Sequence, residues 1–130
     1  MEVLFMADDQ KKKILVIDDD EQLLMATKDL LENWGYKVFT HKRGFGSTAA
    51  IDLIKPDLVL LDMNMPGLPG DRLAGLLGNF EATKNVPIVF YSSNDEDTLR
   101  KAVSEYKVKG YIPKGDIYEL QRKVRQYVNR

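Results

Sequence analysis

The chain has no cysteine and one histidine, His41, among its 130 residues. The first absence removes thiol nucleophiles, thiolate metal sites and a disulfide framework together. The second removes a histidine-rich zinc centre. Long hydrophobic runs are also missing, and none approaches the roughly 20 residues a membrane helix needs. Charge of one sign is lacking as well: 19 basic residues stand against 20 acidic ones, a net charge of −1. Dedicated nucleic-acid binders usually carry a clear positive excess, so direct nucleic-acid binding is not expected. What remains, 44% hydrophobic and 30% charged, fits one soluble, cytoplasmic domain large enough to bury a core without staples.

The first dozen residues differ from the rest. Val3-Leu4-Phe5 is a short apolar run, and Asp8-Asp9-Gln10-Lys11-Lys12 follows it. The run is too short for a signal-peptide core, and no basic region precedes it. Residues 1–12 therefore read as a flexible tail or an expression remnant, ahead of docking as an extra edge element. The folded domain is assigned to residues 13–130.

From Lys13 onward, short apolar runs alternate with helical spacing. Ile14-Leu15-Val16-Ile17 suits a strand buried on both faces, and it stops at Asp18-Asp19-Asp20. Leu23, Ala26, Leu30, Leu31 and Trp34 mark a helix that Asp20 can cap and Gly35 ends. Tyr36–Thr40 is the second strand, and Ala49, Ala50, Leu53 and Ile54 mark a helix closed by Pro56. Leu58–Leu61 is the third strand, ending on Asp62, and a loop dense in Pro and Gly follows. Leu73, Leu76, Leu77 and Phe80 predict the third helix. Ile88–Tyr91 is the fourth strand, before Ser92-Ser93-Asn94. Leu99, Ala102, Val103 and Tyr106 mark the fourth helix. Val108–Ile112 is the fifth strand, broken by Pro113-Lys114-Gly115. Ile117, Leu120, Val124 and Val128 predict the last helix. Alternation of this kind implies an α/β fold, a doubly wound parallel sheet with helices on both faces. The commonest five-stranded order is 2-1-3-4-5.

In such sheets the site lies beyond the carboxyl ends of the strands. Asp18 and Asp19 follow strand one, Asp62 follows strand three, Ser92 ends strand four and Lys114 follows strand five. Each alone has a plainer reading, as a helix cap, a loop acid, a turn residue or a surface lysine. Their convergence on one rim points to chemistry. Three close carboxylates repel one another unless a cation joins them, and a hard ion with oxygen ligands, such as Mg²⁺, resolves the conflict. Mn²⁺ is an acceptable substitute. An Asp carboxylate can be a nucleophile toward phosphorus, with lysine and hydroxyl groups holding the phosphoryl oxygens. His41 is read as structural or exposed, and Trp34 as core.

Four runs carry a resemblance: Ile14–Glu21, Pro56–Gly67, Pro87–Ser93 and Gly110–Lys114. In this order and spacing they resemble the receiver domain of bacterial two-component response regulators, over about residues 13–130. The resemblance implies a flavodoxin-like (βα)5 fold and a phosphoacceptor switch without turnover of an external substrate. Asp62 would take a phosphoryl group from a sensor histidine kinase or a His-phosphotransfer protein. Asp19 and Asp62 would ligate Mg²⁺ through side chains, Asn64 through its backbone carbonyl and Asp18 through water. Ser92 and Lys114 would hold the phosphoryl group. Tyr111 would be the switch aromatic, and Asn64 and Asn94 would sit at positions that tune phosphate lifetime. The surface of the fourth helix, fifth strand and fifth helix would then control a downstream protein, as a monomer or a phosphorylation-dependent dimer. Tyr106, Arg100, Tyr118 and Arg122 are candidate contacts there.

The chain departs from the family pattern at Gly115, where proline usually follows the lysine, and at Ser93, usually Ala or Gly. A pseudo-receiver that docks partners without phosphorylation is the alternative that the Lys114-Gly115 loop keeps open. A haloacid-dehalogenase-type hydrolase would need Thr or Val where Gln22 stands, and a flavin carrier would need donors where the rim is acidic. With no output segment after the last helix, the expectation is a stand-alone receiver or one excised from a longer regulator.

Overall fold

The computed structural model describes residues 10–65, 67–81 and 83–129. The tail assigned to residues 1–12 thus lies, up to residue 9, outside the described residues. Five strands alternate with five helices: β1 Lys13–Ile17, α1 Glu21–Asn33, β2 Lys37–His41, α2 Ser47–Ile54, β3 Leu58–Leu61, α3 Gly70–Leu77, β4 Ile88–Ser92, α4 Glu96–Tyr106, β5 Gly110–Pro113 and α5 Ile117–Val128. The strands form one sheet in the order β2-β1-β3-β4-β5, and every pairing is parallel. The fold class and strand order expected from the apolar runs are those observed.

Strand side chains alternate between two cores because the pleat has a period of two. Ile14, Val16, Leu58, Leu60, Val89 and Ile112 face α1 and α5, where Leu24, Leu31, Leu120 and Val124 meet them. Leu15, Ile17, Val59, Leu61 and Phe90 face the other side, against Ile51, Leu73, Leu77 and Leu99 of α2, α3 and α4. Both faces are covered, so the strands read as continuous apolar runs. Asp20, Asp95 and Asp116 cap α1, α4 and α5 by accepting from the third backbone N–H beyond them.

Several local expectations are corrected. The buried stripe of α1 is Leu24, Thr27 and Leu31, one step round from Leu23 and Leu30, while Trp34 packs only partly into the core. In α2, Ser47 and Ile51 are buried and Leu53 is 85% exposed. Helix α3 ends at Leu77, so Phe80 lies beyond it and is exposed with Leu76. A three-residue step and a four-residue step both approximate the helical period, so spacing alone leaves the buried face open to about one position. The fifth strand starts at Gly110 rather than Val108 and includes Pro113, whose missing N–H is tolerated because β5 is an edge.

Candidate functional site

The carboxyl ends of β1, β3 and β5 open onto one rim. Asp18 follows β1 directly and Asp62 follows β3, each anchored through its backbone: Asp18 N–H donates to the carbonyl of His41 at 3.1 Å and Asp62 N–H to that of Ile17 at 2.9 Å. Asp18 and Asp62 are buried, Asp19 is exposed, and ligand atoms of all three lie within 4.8 Å of one another. Asp18 Oδ1 also accepts from the Asp20 backbone N–H at 2.9 Å, which fixes its carboxylate.

One cation enters this cluster. Lys114 Nζ lies 2.7 Å from Asp18 Oδ2 and 3.4 Å from Asp62 Oδ1, and its backbone N–H donates to the Ser92 carbonyl at 3.0 Å. Gly115, where the sequence departs from the family pattern, adopts φ +91°, and a Cβ there would meet nothing within 4 Å. The altered loop therefore leaves the lysine on its acids. Burial pulls the Lys114 ammonium down, but the hydrogen bond to Asp18 and the charges of Asp62 and Asp18 outweigh it and leave its pKa raised. The Asp62 carboxyl is pushed above the ordinary Asp range, first by burial and next by Asp18. Lys114 and the Asn64 backbone N–H oppose this.

Asp62 Oδ1 is the one buried side-chain oxygen without a well-formed hydrogen bond among the described residues; Lys114 Nζ stands 3.4 Å from it. A buried acceptor left in this way is costly unless a further ligand satisfies it. An orphaned carboxylate oxygen within a set of three carboxylates fits a hard, oxygen-seeking cation.

Backbone approach shapes the loop after Asp62. Gly70 opens α3 so close to this loop that a Cβ would stand 1.7 Å from the Asp62 carbonyl oxygen. A side chain there would force the loop backbone to shift.

Ser92, fully buried at the end of β4, donates its hydroxyl to Asn94 Oδ1 at 3.2 Å and accepts from the Asn94 backbone N–H at 3.3 Å. Asn64 also donates its side-chain amide to Asn94 Oδ1, so one oxygen links the β3–α3 loop, the end of β4 and the start of α4. Tyr111 on β5 donates its hydroxyl to Glu96 Oε1 at 2.6 Å, and Lys123 Nζ lies 4.6 Å from its ring centre. Glu96 also pairs with Arg100 at 3.5 Å.

Asp18, Asp19, Asp62 and Lys114 are thus brought together as the sequence suggested, while Ser92 is engaged by Asn94. Asn94 as the shared acceptor, Glu96 as the partner of Tyr111 and Gly70 as the close-approach residue were not singled out for these contacts. Only the Pro- and Gly-rich loop after Asp62 hinted at where Gly70 lies. His41 is structural: its Nε2 is 2.8 Å from the Phe45 carbonyl oxygen and pins the β2–α2 loop. Of the candidate partner contacts, Arg100, Tyr118 and Arg122 are exposed, whereas Tyr106 packs against the core.

Known proteins share this fold. The family model described as the response regulator receiver domain matches residues 14–125. The chain is similar to the protein PilH of Pseudomonas aeruginosa, with 28% identity over 85 residues, covering 65% of this chain and 70% of PilH. It is also 30% identical over 101 residues to the phosphate regulon transcriptional regulatory protein PhoB of the same species, covering 74% of this chain and 44% of PhoB. Among solved structures, the receiver domain of the sensor histidine kinase PA1611 from Pseudomonas aeruginosa, with a magnesium ion coordinated in its active site cleft, superposes with a TM-score of 0.83 at 21% identity, covering 92% of this chain and 99% of that one. The activated receiver domain of Klebsiella pneumoniae RstA gives 0.82 at 29% identity, with 92% and 100% covered. With the motifs, the sheet order and the acid rim in agreement, the chain belongs to the response regulator receiver domain family of two-component signalling.

Proposed function

We propose that this domain is a phosphoacceptor switch in which Asp62 takes a phosphoryl group from a phosphohistidine of a sensor histidine kinase or His-phosphotransfer protein. The observation that carries the reading is the unsatisfied, buried Asp62 Oδ1 among three carboxylates and one ammonium. Asp19 and Asp62 would hold Mg²⁺ with the Asn64 carbonyl, and Asp18 would orient a water on it. Bound there, the ion supplies positive charge against the clustered carboxylates and the transferring group. An Asp62 carboxylate oxygen attacks phosphorus, a P–O bond forms and the P–N bond breaks. Its electron pair returns to the donor imidazole. Lys114 is already poised between Asp18 and Asp62 and would pair with the new phosphoryl oxygens.

The added charge would draw the Ser92 hydroxyl from Asn94 and release Tyr111 from Glu96, reshaping the α4–β5–α5 surface for a downstream protein. No turnover of an external substrate is assigned to it. The test is intact mass after incubation with acetyl phosphate, with and without Mg²⁺. The expected result is a Mg²⁺-dependent gain of one phosphoryl group, absent in Asp62→Asn. Labelling that persists in the variant would move the acceptor elsewhere. No labelling, from the small donor or from a phosphorylated His-phosphotransfer protein, would favour a docking module that works without phosphorylation.

A further inference from the structure

At the end of the sheet opposite the acid rim, a cavity of about 530 Å³ lies between the C-terminal ends of α3 and α4. That volume is in the range of small-ligand pockets. Val86, Val108 and the half-buried Tyr106 give it apolar surface, and Lys84, Lys107 and Lys109 stand against one acid, Glu105. The connection from α3 to β4 is held in place on one side of it. Thr83 is buried there, donates its hydroxyl to the Leu77 carbonyl at 2.7 Å, and accepts at its own carbonyl from the Val86 backbone N–H at 3.1 Å.

Three residues lining the cavity are poor choices for the fold alone. Gly75 lies inside α3 and Gly78 caps it, although glycine is among the weakest helix formers. Gly78 has φ −67°, so no left-handed turn calls for it. A Cβ would stand 3.7 Å from the Tyr106 ring at Gly75 and 3.6 Å from the nearest atom at Gly78, both ordinary contacts, unlike the one at Gly70. The effect of the two glycines is to leave the α3 wall of the cavity open. Lys107 shows the converse: it takes φ +57° at the end of α4, where glycine is favoured. Lys55 has a similar conformation at the end of α2, but its ammonium turns back to the Asp52 carbonyl at 3.1 Å. The ammonium groups of Lys107 and Lys109 have no such partner among the described residues, whereas Lys84 is paired with Glu81 at 2.7 Å.

We propose that this cavity is a nucleotide-binding site. The ammonium groups of Lys107 and Lys109 suit a phosphate, as charge-assisted donors. Tyr106, Val86 and Val108 offer apolar contact to a flat ring. Asn79 and Asn85 also line the cavity, and their side-chain amides make no hydrogen bond among the described residues. Each amide presents both a donor and an acceptor, which is what the edge of a base requires. A plain anion would engage the lysines and leave the apolar surface and both amides unused. The cavity is remote from Asp62, and the inference does not rest on the phosphoacceptor reading.

The test is a titration of the full chain with ADP, and separately with GDP, followed by amide NMR shifts. EDTA is present throughout, so that no divalent metal draws phosphate to the acid rim. The expected result is saturating shifts at Gly75, Val86 and Lys109 with one or both nucleotides, half-complete at about 1 mM or below, with Asp19 and Asn64 unmoved. Adenosine alone and inorganic phosphate alone should each bind at least about tenfold more weakly. Lys107→Gln with Lys109→Gln should weaken nucleotide binding about tenfold and leave the melting temperature unchanged. Gly75→Ala with Gly78→Ala should also weaken it, while raising the melting temperature, because alanine is the better helix former. No saturation by either nucleotide, shifts centred on Asp19 and Asn64, or undiminished binding in the lysine pair would each overturn the proposal. Inorganic phosphate binding as tightly as the nucleotides would overturn it too, leaving an anion site only. So would shifts at the same residues from poly-L-glutamate but from neither nucleotide, which would point to an acidic protein partner instead.

Discussion

The acid rim and the α4–β5 surface are both built from charged residues, yet they are held in opposite ways. At the rim, Asp18, Asp62 and Lys114 have side chains only 2%, 4% and 15% exposed. At the α4–β5 surface, Glu96 and Arg100 are 65% and 62% exposed. A charge added to the first region acts through a poorly screened interior, whereas pairs in the second compete with water and salt. A charge added at the rim would therefore act strongly, whereas rearrangement of the surface costs little. Tyr111 spans the difference: its ring packs against the buried cluster beneath α4 while its hydroxyl reaches out to Glu96.

The largest expected effect comes from removing the cation of the rim. Lys114→Met leaves Asp18 and Asp62 buried without a counter-charge. Breaking a buried pair costs ~3–5 kcal/mol, and the loss here should fall toward the lower end because the lysine is partly exposed. Urea unfolding in EDTA measures it, and added Mg²⁺ should recover part of the loss. Equal destabilisation with and without Mg²⁺ would detach the lysine from the metal-binding carboxylates.

Gly70→Ala tests the same region through shape. Its Cβ would meet the Asp62 carbonyl oxygen at 1.7 Å, and such overpacking typically costs ~1–3 kcal/mol. Phosphorylation should slow along with the loss of stability, because the displaced backbone carries Asp62. An unaltered phosphorylation rate would show that the loop absorbs the strain away from the acceptor.

Asp62→Asn should go the other way. It removes one buried carboxylate and leaves Asp18 matched with Lys114 at 2.7 Å. A gain on the order of 1 kcal/mol is expected for the metal-free protein, read as a melting temperature higher by about 3–6 °C. The pH dependence has a definite sign. Burial first, and Asp18 next, raise the Asp62 carboxyl above its ordinary 3.8. The folded state thus keeps a proton that the unfolded chain has already released, so this group makes stability fall as pH rises from the ordinary value through the raised one. In Asp62→Asn that descending component should vanish.

The smallest effect belongs to the exposed region. Glu96→Gln should leave the thermal transition unchanged, since its partners are solvated. It should nevertheless shift the Tyr111 ring resonances, because the 2.6 Å hydrogen bond to the carboxylate is lost. A clear fall in stability would place the surface with the rim and remove the contrast.

Much of this was legible beforehand. Buried parallel strands announce themselves as unbroken apolar runs, as at Leu58–Leu61, and the polar residue that ends each run marks the rim. Helix faces were less legible: Leu24 replaces Leu23, and Leu53 points to solvent. Spacing alone leaves such one-position shifts open, and packing resolves them. The partners of the polar residues were not legible at all. Ser92 and Asn94 are close in the chain, but Asn64 and Asn94 meet only because β3 and β4 are neighbours in the sheet.

The order of elements, the parallel sheet and the set Asp18, Asp19, Asp62 and Lys114 follow from residue types and their spacing, because burial and strand ends are local properties of the chain. Only the tertiary structure decided that Lys114 pairs most closely with Asp18, that Asp62 Oδ1 is left without a well-formed hydrogen bond, and that Tyr111 is tied to Glu96. Those outcomes depend on ångström-scale distances between segments far apart in sequence, and the packing of the whole sheet sets them.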